Sequence, residues 1–196
     1  MKSVLFFGAM VLTFSASAHF QLGQPSYGGN GCPAGTASVV VSEDRQTMSV
    51  LFDRFLAEAG TTTGRRIDRA SCNLRIPMRL DAGYSVALIA VDYRGFNAVP
   101  TGGSTTFNAE YFYAGSRGPR QTKKFRGPTA DNFTIGNQVV SQTWSPCGKD
   151  VIFGINASAT AMANSSMQQT MMIVDSADLA VQNAGLRYSF SFRRCN

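Results

Sequence analysis

Polar and apolar residues alternate in short runs along most of the chain, and Gly, Pro, Asn, Asp and Ser bound the runs. A period of two marks strands with one buried and one wet face. Residues 36–41 and 47–52 flank the polar segment Ser42-Glu43-Asp44-Arg45-Gln46 and predict a hairpin. Residues 72–80 set Leu74, Ile76, Met78 and Leu80 against Asn73, Arg75 and Arg79. Pro77 inside that run predicts an edge strand or a bulge, because proline cannot donate to a ladder. Asp81-Ala82-Gly83 then turns the chain into residues 84–93, a nearly continuous apolar run that suits a central strand. Further strands are predicted over residues 105–113, 138–144, 151–159, 170–174 and 186–194. Only in residues 52–59 does a helical face (Phe52, Phe55, Leu56, Ala59) compete with strand and turn. Residues 61–69 read as the most exposed loop. The whole predicts an all-β protein, an antiparallel β-sandwich or jelly-roll of nine or ten short strands.

Composition narrows the class. The chain has 196 residues, 44% hydrophobic and 15% charged. Charge is low against the usual ~25%, yet the apolar content excludes intrinsic disorder. Scarce Glu and Lys exclude a coiled coil, and the length suits one domain.

The first eighteen residues depart from the pattern. Met1-Lys2-Ser3 is a short positive start, residues 4–14 are apolar, and Ala16-Ser17-Ala18 supplies small residues for cleavage. Such an apolar stretch is too short to span a ~30 Å hydrocarbon core, so it predicts a secretory signal peptide over 1–18 and not an anchor. Residues 19–196 then form a single secreted domain, extracellular or, in a bacterium, periplasmic or on the outer surface. Its charge is one less than the formal +6, because Lys2 is lost. A lipoprotein anchor is not expected, since His19 and not Cys would follow the cut.

Export changes the reading of the cysteines. Cys32, Cys72, Cys147 and Cys195 are even in number and widely spaced, with no CxxC pair and a single histidine, His19, in the chain. That excludes a zinc site and predicts two disulfides. Three connectivities are open; Cys32–Cys72 with Cys147–Cys195 is preferred, closing loops of ~40–50 residues worth about 3–4 kcal/mol each.

Several phrases then stand out in order: Gly31-Cys32-Pro33-Ala34-Gly35-Thr36, Asp92-Tyr93-Arg94-Gly95 and Phe125-Arg126-Gly127-Pro128. Trp144-Ser145-Pro146-Cys147-Gly148, Asp175-Ser176-Ala177-Asp178 and Arg193-Arg194-Cys195 follow. Their order and spacing, from Gly31 to Cys195, resemble the secreted domain-of-unknown-function 4360 family of fungi and bacteria. The resemblance implies export and the cysteine framework, and brings no catalytic residues with it.

The candidate chemistry is sparse. Asp92 and Arg94, two apart on a strand, share a face and read as a ligand-facing arginine or a structural ion pair, with Gly95 for a turn. Trp144 beside Cys147 reads as packing on a cystine or as a sugar platform, with Tyr27, Tyr111 and Tyr113 as rivals. A secreted hydrolase acting on polysaccharide would need paired acids, and Glu43/Asp44, Asp53/Glu58 and Asp175/Asp178 are the candidates. Asp175/Asp178 also lack the spacing of a calcium loop. Nucleophile triads fail for want of a second histidine and a GxSxG elbow. An N-terminal His19 after cleavage could chelate copper, but a copper oxygenase site needs a second His. Catalytic residues, cofactor and metal are therefore all read as none.

The remaining feature is basic charge. Arg117, Arg120, Lys123, Lys124 and Arg126 fall within ten residues, and Arg65, Arg66, Arg69, Arg75 and Arg79 form a second cluster with only Asp68 inside it. Clustered cations attract polyanions. The expected role is a non-enzymatic domain binding an anionic polysaccharide, envelope polymer or partner protein at a cell surface. The first cluster, with Arg94, supplies the contact residues; the bland alternative for it is a solvated loop. No motif points to specific nucleic acid. An outer-membrane barrel is disfavoured by uneven strands, Pro77 and the cysteines. Sequons start at Asn132, Asn156 and Asn164, and oligomeric state is left open.

Overall fold

The structure is a computed structural model and describes residues 20–138, 144–174 and 186–195. The signal segment, His19 and Asp175/Asp178 lie outside the described residues, as do 139–143 of the predicted strand 138–144.

Thirteen strands are present among the described residues: β1 (Phe20–Leu22), β2 (Ser26–Gly28), β3 (Ala37–Val41), β4 (Thr47–Phe52), β5 (Leu56–Ala59), β6 (Ile67–Leu80) and β7 (Tyr84–Val99). They continue as β8 (Ser104–Tyr113), β9 (Arg120–Arg126), β10 (Thr129–Gln138), β11 (Val151–Met162), β12 (Thr170–Val174) and β13 (Leu186–Arg194). Two antiparallel sheets result. Sheet I runs β1-β6-β11-β8-β9, with β2 also on β6; sheet II runs β3-β4-β13-β7-β12-β5, with β10 on β7. The predicted all-β sandwich is what forms.

The core between the sheets is aromatic. Phe153 of sheet I meets Tyr188 and Phe190 of sheet II at 5.5 Å between ring centres, and Tyr93 meets Phe107 at 4.9 Å. The two Phe153 pairs are edge-on and the Tyr93–Phe107 pair is tilted; edge-on aromatic pairs add to the burial energy of the rings themselves. Burial pushes the hydroxyls of Tyr93, Tyr113 and Tyr188 above the ordinary phenol range, because a charged phenolate cannot be hydrated there.

The disulfides are Cys32–Cys72 and Cys147–Cys195, with Cα atoms 5.4 and 6.0 Å apart. The first ties the loop before β3 to β6, where Gly31 N–H also bonds the Ser71 carbonyl. The second ties the end of β13 to residues 144–148, which run beside the start of β7.

Four expectations need correction. Pro77 does not mark an edge: β6 lies inside sheet I, paired on its other side with β11. The strand tolerates proline because its outer neighbour is broken into β1 and β2, and Pro77 falls opposite the gap between them. Gly95 does not make a turn but sits within β7. Any β-carbon there would collide with the Ile173 carbonyl and the Phe133 ring, so glycine permits close passage past β12 and β10. The basic segment 120–126 is no loop but strand β9, the edge of sheet I. Its single apolar residue, Phe125, hid it, and charge is how an exposed edge avoids pairing with another chain. Residues 67–69, read as loop, begin β6. Residues 52–59 take the strand-and-turn alternative, ending β4 and forming β5.

Candidate functional site

Alternation decides what sheet I shows to solvent. In β6 the even positions from Ala70 to Met78 are buried, so Arg69, Ser71, Asn73 and Arg75 face out. In β8, Phe107, Ala109 and Tyr111 face the core, leaving Thr106, Asn108, Glu110 and Phe112 outside. Register then lays these positions in rows across four strands: Asn73–Asn156–Glu110–Arg120, Ser71–Ser158–Asn108–Thr122, and Arg69–Thr160–Thr106–Lys124. Short side chains in the middle and long ones at both sides make a trough. Its volume is about 300 Å³, and Arg69, Asn73, Asn108, Glu110, Arg120 and Asn156 line it with Ser71 and Ser158.

The trough is a dense set of donors and acceptors. Thr122 donates to Asn108 Oδ1 at 2.8 Å, Arg75 donates to Asn156 Oδ1 at 3.3 Å, and Arg120 approaches Glu110 at 3.6 Å. Asn and Ser can each both donate and accept, which suits vicinal hydroxyls. The Arg75 guanidinium lies 5.0 Å from the centre of the Phe112 ring and caps its face. The trough is polar, with no bare ring among its lining residues.

The six basic residues singled out in sequence do not form one patch. Arg120, Lys124 and Arg126 share the outer face of sheet I. Lys123 lies on the other side of β9, opposite buried Phe107, though still exposed at the rim. Arg117 is in the exposed β8–β9 turn. Arg94 is on the outer face of sheet II, opposite Thr134 of β10. From the second cluster, Arg69, Arg75 and Arg79 join the sheet I face, whereas Arg65 pairs with Asp68 at 2.8 Å. Arg79 stands 3.9 Å from Asp150. The two basic segments thus converge on one face, from opposite sides of the trough.

Other candidates disperse. Asp44, at the β3–β4 tip, accepts from the Ser42 hydroxyl and the Gln46 N–H, which hold its carboxyl below the usual 3.8. A general acid needs the reverse shift. Glu58 accepts from the Gln169 amide while Asp53 is exposed in a separate turn. Tyr111 and Tyr113 are buried, and Tyr27 uses its hydroxyl to accept from Gly35 N–H. Trp144 is half-buried and lies under Arg193, 4.2 Å from guanidinium to ring centre, not in the core. Among the described residues no group of three or more His, Cys, Asp or Glu could hold a metal, and no helix is long and apolar enough to cross a membrane.

Sequence reasoning missed the central amides Asn73, Asn108 and Asn156. Each reads singly as an ordinary wet-face residue, and only register brings them together.

The model of the domain-of-unknown-function family DUF4360 matches residues 18–195. An "Uncharacterized secreted protein" of Arthroderma benhamiae is 31% identical over 156 residues, covering 78% of this chain. The chain spans 64% of the length of that relative. Among solved structures, TmCBM61 in complex with beta-1,4-galactotriose aligns at 13% identity over 87% of this chain and 88% of its own, with a TM-score of 0.27, too loose to bear on a ligand. Secretion, expected from the sequence, is shared with the fungal relative, and the chain is a secreted member of the DUF4360 family.

Proposed function

We propose that the protein is a non-enzymatic binding domain that holds an acidic polysaccharide in the trough of sheet I. The observation that carries this reading is the convergence of Arg69 and Arg120, from opposite sides, on a floor of amides and hydroxyls. Flanking cations attract the acidic groups of the chain, and the floor exchanges hydrogen bonds with its hydroxyls. A partner protein would favour a flatter surface with exposed aromatic anchors, which this trough lacks. Hydrolysis is disfavoured because Glu110 is the one carboxylate among the lining residues, and glycoside cleavage uses two.

Retention on immobilised polygalacturonate against rising salt tests the proposal. The Arg69→Gln/Arg120→Gln variant is expected to elute at clearly lower salt than wild type. Co-elution of the two would end this reading.

A further inference from the structure

Two connections cross between the sheets at the same end of the sandwich: residues 100–103, leading from β7 to β8, and residues 127–128, leading from β9 to β10. They lie side by side, with Gly127 N–H donating to the Gly103 carbonyl at 3.3 Å. The first is a tight turn closed by Gly103 N–H on the Pro100 carbonyl at 2.9 Å, with Gly102 at φ +80° in its third position. That conformation belongs to a type II turn and favours glycine. No side chain therefore rises from either glycine, and a hollow of about 300 Å³ opens above them. Gly102, Gly103, Ser104, Gly127 and Met162 line it with Lys124 and Arg126.

Some cations of this face stand beside an acid and others do not. Arg120 has Glu110 and Arg79 has Asp150, but Lys124 and Arg126 have no carboxylate within ion-pair distance among the described residues. The two cations are two apart on β9 and so point the same way, toward the hollow they line. Ser104, opposite Arg126 in register, adds a hydroxyl. Two unneutralised cations, a hydroxyl and backbone free of side chains suit a compact oxyanion and not a neutral ring.

We infer that this cup is a second binding subsite, which takes a carboxylate or sulfate substituent of the polysaccharide lying in the trough. The inference rests on the acidic-polysaccharide reading above and extends it. Lys124 lines the cup and not the trough, four residues along β9 from Arg120, or about 13 Å. A ligand engaging both sites must therefore be longer than one sugar and carry its charge at intervals. A neutral glycan could use the trough but gain nothing from the cup.

Isothermal titration of a four-unit oligogalacturonate and its fully methyl-esterified form separates the two sites, with a heparin-derived hexasaccharide as the sulfate arm. Lys124→Gln/Arg126→Gln is expected to weaken the acidic oligomer about 10–100-fold, on the order of tenfold for each charge-assisted contact. Its affinity for the methyl ester and its Tm should match wild type. The same loss with the heparin fragment in place of the uronate supports the cup and identifies sulfate as its anion. If Lys124→Gln/Arg126→Gln binds both acidic probes as wild type does while Arg69→Gln/Arg120→Gln is weakened, the cup is wrong and the trough stands. If wild type binds neither acidic probe, both proposals fall together.

Discussion

The two outer faces of the sandwich are built from the same alternating strands but end with different charge. On sheet I, Arg69, Arg75, Arg79, Arg120, Lys124 and Arg126 face out against Glu110 on the strands themselves. On sheet II, register places Arg187 opposite Asp92 and Arg94 opposite Thr134, and further outward positions include the small Ser49 and the exposed apolar Val40 and Leu56. A cation opposite an anion on adjacent strands is largely neutralised in place. Field strength thus depends on which residues become cross-strand neighbours, and the count of charges in the chain does not decide it.

The staples break this comparison most strongly. Removing either disulfide should lower stability by about 4 kcal/mol, since each closes a loop of 40 or 48 residues. Cys32→Ser/Cys72→Ser frees the β6 side of the trough and should reduce polygalacturonate binding, whereas Cys147→Ser/Cys195→Ser acts on sheet II and should spare it at temperatures where both variants stay folded. Denaturant titration followed by binding at 10 °C checks both halves.

Alkali attacks the shared core. The folded-state pKa values of Tyr93, Tyr113 and Tyr188 are raised above 10.0, so their neutral forms support folding fully below pH 10. Above pH 10 the unfolded chain ionises first, and stability falls by up to about 1.4 kcal/mol per phenol per pH unit until the folded pKa is passed. Circular dichroism and phenolate absorbance followed from pH 8 to 12 should change together; phenolate appearing well before unfolding would contradict the burial.

Single charges sharpen the contrast between faces. Arg120→Gln should weaken acidic oligosaccharide about tenfold, and Arg187→Gln on sheet II less than twofold, both measured by titration calorimetry. Equal losses would mean that net charge and not the trough governs binding.

The sequons divide in the same way. Asn156 lies in the trough, and Asn164 is buried, its amide donating to the Thr101 carbonyl at 2.9 Å and to Gln168 Oε1 at 2.6 Å. Asn132 on β10 is exposed. Expression through a yeast secretory pathway should give one glycan, removed by Asn132→Gln and unaffected by Asn156→Gln, as read by mass spectrometry. The smallest effect is expected at Arg193→Ala, which loses the contact over Trp144 and about 0.5–1 kcal/mol of stability.

Much of the fold was legible along the chain because strand faces repeat every two residues. The predicted runs 170–174 and 186–194 coincide with β12 and β13, residues 36–41 and 47–52 form the hairpin, and the 84–93 run is a central strand that continues to Val99. The preferred cysteine pairing is the one that forms. β9 was not legible, because an edge strand buries little and its pattern of one Phe among cations looks like a loop. The basic residues of the candidate site were visible as clusters, but their grouping was wrong: Arg94 belongs to the other sheet, and Arg69 and Arg75 belong with Arg120.

The sequence by itself determined the secretory reading, the β architecture and the cysteine framework, since each depends on local composition or on spacing within one run. Only the tertiary structure decided which wet faces lie together. Asn73, Asn108 and Asn156 are separated by 35 and 48 positions, and their meeting is set by hydrogen-bond register between β6, β11 and β8. A shift of one residue in either ladder would turn those side chains out of line with their neighbours, because successive residues of a strand face opposite ways.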